Sequence, residues 1–180
     1  MKKIALFLML LLCAMAAQAQ TKPFRCDTVI YASGRDEYQL YESILMWFDN
    51  LDPTKADAYD LRFDKDNLTV IGKIDIEFSV SNLTWYAMSG KIKMTVNVAA
   101  RYGRIRFIAT DVVHEAGSKG WTEGLIMDEI PADKNKGIGG KQHREVYKRV
   151  KKEVKNWFET QAASLASYLN MYQSIQDEDW

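Results

Sequence analysis

The chain has 180 residues, of which 47% are hydrophobic, 12% aromatic and 27% charged, proportions that exclude a disordered, collagen-like or disulfide-scaffold polypeptide. Its 24 basic and 24 acidic residues balance, so no overall electrostatic attraction to nucleic acid or an anionic surface follows. Once an N-terminal leader is set aside, the length is that of one domain on the rough 150-residue scale.

That leader reads as residues 1–19, and residues 20–180 as a single α+β domain. Lys2 and Lys3 make a basic start, Ile4 to Ala16 an unbroken apolar run, and Ala17-Gln18-Ala19 a small-x-small site that directs cleavage before Gln20. The run is shorter than the roughly 20 residues of a spanning helix, and no second long apolar run follows it. The expectation is an exported chain, periplasmic or extracellular, with no transmembrane span in its mature form. Leu12 stands before Cys13 where a lipoprotein signal wants a small residue, which opposes a lipid anchor. Processing removes Lys2 and Lys3, tipping the charge two units to the acidic side, and removes Cys13, which leaves Cys26 without an intrachain partner. Cys26 then reads as a small buried hydrophobe rather than a reactive thiol.

From Phe24 to Tyr31 the residues Phe24, Cys26, Thr28 and Ile30 share one parity, which predicts a strand, and Ser33-Gly34-Arg35-Asp36 supplies a helix cap of the Ser-x-x-acid kind. Leu40, Tyr41, Ile44, Leu45, Trp47 and Phe48 then fall three and four apart, the stripe of an amphipathic helix that ends before Asp52-Pro53. Tyr59, Leu61 and Phe63 alternate up to a turn at Asp64-Lys65-Asp66-Asn67, and alternation resumes through Val70, Ile74, Ile76 and Phe78. Two further strands follow: Ile92, Met94, Val96 and Val98 mark one, Ile105, Phe107 and Ala109 the other, with a turn near Tyr102-Gly103 between them. Alternation this clean means one face packs and the other meets water, the habit of antiparallel sheets. With the second hairpin centred near Thr84, Asp75 faces Lys93 and Glu77 faces Lys91. These best-placed acids then belong to a solvated cross-strand ladder rather than to acid/base catalysis.

Residues 115–142 form a long glycine-rich connection that is functional, mobile or holds short structure of its own. Val146, Val150, Val154, Trp157, Leu165 and Tyr168 predict a C-terminal helix over about 143–173, followed by a fraying acidic end. With the sheet and first helix in about 23–114, the fold class is α+β. It is a two-layer sandwich of order β-α-β-β-β-β-α, with a five-stranded, mainly antiparallel sheet and both helices on one side.

No catalytic set assembles from these residues. Only His114 and His143 exist, and His114-Glu115 lacks the second histidine four places on that a zinc-protease helix needs, since Ser118 stands there. Gly137-Ile138-Gly139-Gly140-Lys141 resembles a phosphate loop, but Asn135 replaces its first glycine and Gln142 its Ser or Thr. No metal, cofactor or catalytic residue is assigned. A looser anion surface remains: Lys134 to Lys155 carries nine basic residues against Glu145 and Glu153, Arg144, Lys148 and Lys155 share one helical face, and Lys141, Arg144 and Lys148 are the candidate contact residues. Among five tryptophans, Trp47 and Trp157 lie in helical stripes. Trp85, in a hairpin loop, and Trp121, in the long connection, are the ones placed to stack on a sugar.

Ser33, Asp36-Glu37-x-x-Leu40-Tyr41, Trp47-Phe48, the Val70-Ile71-Gly72-Lys73 strand and the Arg104-Ile105-Arg106-Phe107 strand ending near Thr110-Asp111 resemble the bacterial secreted family DUF4468. The resemblance covers roughly Phe24 to His114 and implies a TBP-like fold with no assigned activity. Where that family tends to a Lys-Asp-Gly turn, this chain has Ala100-Arg101-Tyr102-Gly103. The resulting expectation is a secreted or periplasmic, non-catalytic binding domain whose ligand is a glycan, an acidic ligand or a cell-envelope protein, and not nucleic acid. The alternatives are a carrier of small apolar ligands or lipids with a cavity between sheet and C-terminal helix, and, third, a hydrolase using Ser118, His114 and Glu115.

Overall fold

The computed structural model of the chain describes residues 22–54, 56–80, 88–117, 120, 122–131, 134 and 139–178, with side chains described as far as 169. The expected leader, residues 1–19, lies outside the described residues. The first strand, β1 (Cys26–Tyr31), leads into helix α1 (Glu37–Asp49). The cap of α1 is Asp36, three residues later than the Ser33 cap expected: its carboxylate accepts the N–H groups of Tyr38 and Gln39, and Gln39 reaches back to the Asp36 N–H. Gln39 takes the third helical position that the reciprocal motif requires, so the stronger box wins. Asn50 closes the helix, its side-chain amide donating to the Met46 carbonyl.

Strands β2 (Asp57–Asp64), β3 (Thr69–Phe78), β4 (Gly90–Arg101) and β5 (Arg104–Ala116) form an antiparallel sheet with β1, in the spatial order β1-β5-β4-β3-β2. Asp64 ties the β2–β3 turn by accepting from the backbone and side-chain amides of Asn67. Tyr102-Gly103 joins β4 to β5 with Arg101 directly opposite Arg104, Gly103 supplying the positive φ of 69° that such a tight turn needs. Asp75 stands opposite Lys93 and Glu77 opposite Lys91, as the Thr84-centred hairpin predicts. Gly90 permits the close approach of β4 to β5, since a Cβ there would lie 2.1 Å from the Glu115 carbonyl oxygen.

The alternation of β2 is interrupted. A bulge between Tyr59 and Arg62 holds Asp60 at φ 53°, and Phe63 ends exposed at the sheet edge. A second bulge breaks the β4–β5 register between Lys93 and Thr95, with Asp111 at φ 52°.

The long connection does hold structure. Strand β5 runs to Ala116, and β6 (Gly124–Leu125) pairs with Val113 and His114, so a short sixth strand takes over from β1 along the same edge of β5. Ile126 fastens this segment twice, donating to the Val112 carbonyl and accepting from the Phe24 N–H. Helix α2 (Gly140–Glu178) is longer than the 143–173 expected, so Asp177 and Glu178 belong to it.

Both helices lie on the same face of the sheet. Leu40, Ile44 and Trp47 of α1 and Val146, Val150, Val154, Phe158 and Leu165 of α2 are buried against Val70, Ile74, Ile92, Val96, Ile105 and Phe107. Phe107 is the hub: Trp47 meets it edge-on at 5.4 Å, and Phe158 stacks on it at 4.7 Å. Each such side chain contributes about 1.5–3 kcal/mol by leaving water, far more than an exposed ion pair returns. The parity of the strands is thereby locked, because a one-residue slip would turn every apolar side chain outward.

Candidate functional site

On the face away from the helices, the opposite parity of the same strands is exposed. Reading across in register, Tyr31, Arg104 and Arg101 form one row, Val29, Arg106 and Ala99 the next, and Asp27, Ile108, Asn97 and Ile71 a third. Arg106 holds Asp27 through two hydrogen bonds, at 3.1 and 2.7 Å, which keep the carboxyl below the usual carboxylate range, with Arg25 assisting. Farther along the strands, Lys73 pairs with Asp60 at 2.7 Å and Lys93 with Glu115 at 2.7 Å. Asp27, Asp60 and Glu115 thus each hold a cation, but Asp75 departs from the expected pairing. Asp75 accepts from the Tyr59 hydroxyl at 2.9 Å instead of taking Lys93, and Lys91 lies 3.8 Å from Glu77. Tyr59, Lys73, Lys93, Thr95, Asp111 and Glu115 line a shallow groove of about 340 Å³ between the two bulges.

A second groove, about 510 Å³, runs between β1 and α2 and is lined by Cys26, Asp27, Lys155, Phe158, Glu159 and Ala162. Its walls mix an apolar floor with charged rims. Cys26 is buried there, as expected, and burial pushes its thiol above the ordinary range, which disfavours the reactive thiolate. The interior between the layers, where the carrier alternative needs a cavity, holds the Trp47, Phe107 and Phe158 rings.

One polar cluster is sealed inside. Glu123, 3% exposed, accepts from Lys134 through its backbone carbonyl and, at 3.3 Å, through its carboxylate, and meets His143 Nδ1 at 2.7 Å. Its own N–H donates to His114 Nδ1 at 3.3 Å, so the His114 proton sits on Nε2 and is given to the Met88 carbonyl at 2.8 Å. His114 has no exposed surface, and burial holds its pKa below the ordinary value, keeping the ring neutral. The cluster ties β5, the connection and the start of α2 together. Glu123 carried no sequence signal; only an isolated acid between Trp121 and Gly124 was visible.

His114 and Glu115 of the hydrolase alternative do not share a site: His114 faces the core while Glu115, one residue on, points to the opposite side of the sheet and pairs with Lys93. Ser118 lies outside the described residues. Among the described residues no three His, Cys, Asp or Glu side chains converge on a point that could hold a metal ion.

Of the sequence-predicted contact residues, Lys141, Arg144 and Lys148 are exposed along the first turns of α2. Trp85 and Trp121 lie outside the described residues. The basic run around them is less available than its count suggests. Lys134 is turned inward to Glu123, Arg149 pairs with Glu145, and Lys151 donates to the Asp128 carbonyl while its ammonium lies over the Phe24 ring. Burial lowers the Lys151 pKa. No helix among the described residues is long and apolar enough to cross a membrane.

The architecture is shared with solved structures. A TBP-like protein from Parabacteroides distasonis superposes with a TM-score of 0.59 at 14% identity, over 81% of this chain and 93% of that one. A DUF4468 family protein from Bacteroides ovatus superposes with a TM-score of 0.53 at 11% identity, over 80% of this chain and 86% of that one. No family model and no curated protein matches the sequence. The chain therefore has the TBP-like α+β fold of the DUF4468 protein, as the short motifs implied, at an identity that speaks for the fold alone.

Proposed function

We propose that the protein is an exported, non-catalytic interaction domain that offers the uncovered face of its sheet to a partner. The observation that carries this is the placement of both helices on one side, which leaves a five-stranded face with exposed Val29, Tyr31 and Ile71 among its charges. Export is supported by the Lys2-Lys3, Ile4 to Ala16 and Ala17-Gln18-Ala19 pattern. Lys141, Arg144 and Lys148, with Trp85 and Trp121, form a second set of contact residues, suited to an acidic ligand or a glycan.

Two measurements test this. Intact mass of the protein recovered from the cell envelope fraction or the medium should correspond to a chain beginning at Gln20; an unprocessed chain retained in the cytoplasm refutes export. Arrays of neutral and acidic glycans and lipids, probed at increasing salt, should give binding that weakens with ionic strength if the lysines and arginines carry it. Absence of binding at any salt, together with turnover of a substrate in a hydrolase panel, would replace the interaction reading with an enzymatic one.

A second reading, a carrier of a small amphipathic ligand, draws on the groove between β1 and α2, where Phe158 and Ala162 lie beside Lys155 and Glu159. Native mass spectrometry of the purified protein should then show a co-purifying adduct, and a clean apo mass removes it.

A further inference from the structure

The uncovered face is electrically two-ended. At the β4–β5 hairpin end, Arg62, Arg101, Arg104 and Arg106 outweigh Asp27 and Asp64. At the other end Asp57, Asp75, Glu77, Asp111 and Glu115 outweigh Lys91 and Lys93, Lys73 being matched by Asp60. Between the ends lie Val29, Ile71 and Ile108, the first two 38% and 37% exposed.

Two features of this arrangement are unfavourable for an isolated chain. Arg101 and Arg104 stand directly opposite each other, a like-charge pair that destabilises a hairpin, and among the described residues neither Arg62 nor Arg104 has an ion-pair partner. Aliphatic side chains also remain in water at the centre of the face.

We infer that the partner of this face is a second copy of the chain, packed face to face about a two-fold axis that lies in the interface and runs across the strands. That operation reverses strand direction, so the arginine end of each copy lies over the carboxylate end of the other. Val29, Ile71 and Ile108 of the two copies meet near the axis. Such an interface is isologous and closed, giving a dimer and not a filament. Five strands about 4.8 Å apart and about ten residues long at 3.3 Å each present roughly 800 Å², the area each partner contributes to a standard-sized interface. Aligned packing of two sheets is an ordinary way to cover such faces. Because the complementarity is mostly between exposed charges, the dimer is salt-sensitive.

The inference rests on the reading of the uncovered face as a binding surface and names its occupant. Sedimentation velocity of the purified chain at low ionic strength should show a concentration-dependent dimer that dissociates in about 0.5 M salt, where screening reaches only a few ångströms. Arg104→Glu with Arg106→Glu, and separately Glu77→Lys with Glu115→Lys, should each weaken self-association at least tenfold with an unchanged circular dichroism spectrum. Mixing the two variants should restore a dimer, since each then meets an oppositely charged face. Wild-type chain that stays monomeric at low salt and high concentration overturns the dimer, as does a dimer that the arginine reversals leave intact. Monomeric chain that still binds in the array measurement keeps the interaction reading while losing this one; chain that does neither loses both.

Discussion

The two faces of the β3–β4–β5 sheet are made by the same strands, one residue out of step, yet they differ in almost every physical respect. Phe107 is in contact with Trp47 and Phe158 and has no exposed surface, whereas Ile108 beside it faces away from both helices. His114 is a sealed neutral imidazole, whereas Glu115 is a solvated carboxylate paired with Lys93. Identical backbone geometry therefore sets neither stability nor chemistry here; what matters is whether a helix lies over the side chain. The covered face holds the fold together, and the uncovered face leaves its charged side chains in water.

This contrast can be broken most forcefully at Phe107. Phe107→Ala should cost about 3–5 kcal/mol in denaturant unfolding, while Ile108→Ala should cost below about 1 kcal/mol at low protein concentration. Similar losses would mean that both faces are covered even in the monomer. A gentler probe uses pH. Burial depresses the folded-state pKa of His114 below its ordinary 6.5, so below that pH the unfolded chain binds a proton that the folded chain refuses. Stability should fall as pH drops from about 6.5 toward the depressed value, by up to about 1.4 kcal/mol per pH unit. His114→Asn should flatten that slope, and a slope that survives the substitution would have to arise at other groups.

Smaller effects sharpen the comparison at its margins. Asp36→Ala should remove about 1 kcal/mol by uncapping one of the two covering helices, with Ser33→Ala near neutral; the reverse ranking in thermal unfolding would restore the earlier cap. On the uncovered face, Lys93→Ala should leave the unfolding midpoint unchanged within error, because its partner Glu115 is also exposed and water replaces the lost pair. A clear loss there would show that the open face contributes to the fold.

Much of the fold was legible before any coordinates, for a reason visible in particular residues. Ile92, Met94, Val96 and Val98 alternate with Lys91, Lys93, Thr95 and Asn97, and such a pattern admits only a strand with one buried face. Centring the hairpin near Thr84 placed Asp75 and Glu77 opposite the right lysines. Of the two expected ion pairs Glu77–Lys91 forms, at 3.8 Å, but Asp75–Lys93 does not, because Glu115 reaches Lys93 from β5 and Tyr59 reaches Asp75 from β2, and neither neighbour is close in sequence. The Ser33 cap misled because a three-residue acid spacing also fits a segment that never becomes helical.

Local periodicity, then, determined which residues are strand and helix and which parity is apolar, since each depends on neighbours within a few positions. Tertiary structure alone decided that β5 lies between β1 and β4, and that Gly124–Leu125 extends the sheet. It also decided that Glu123 is buried between His143 and Lys134, and that charges scattered over five strands collect into opposite ends of one face. Those outcomes depend on groups brought together from distant parts of the chain, and no short-range pattern records such meetings.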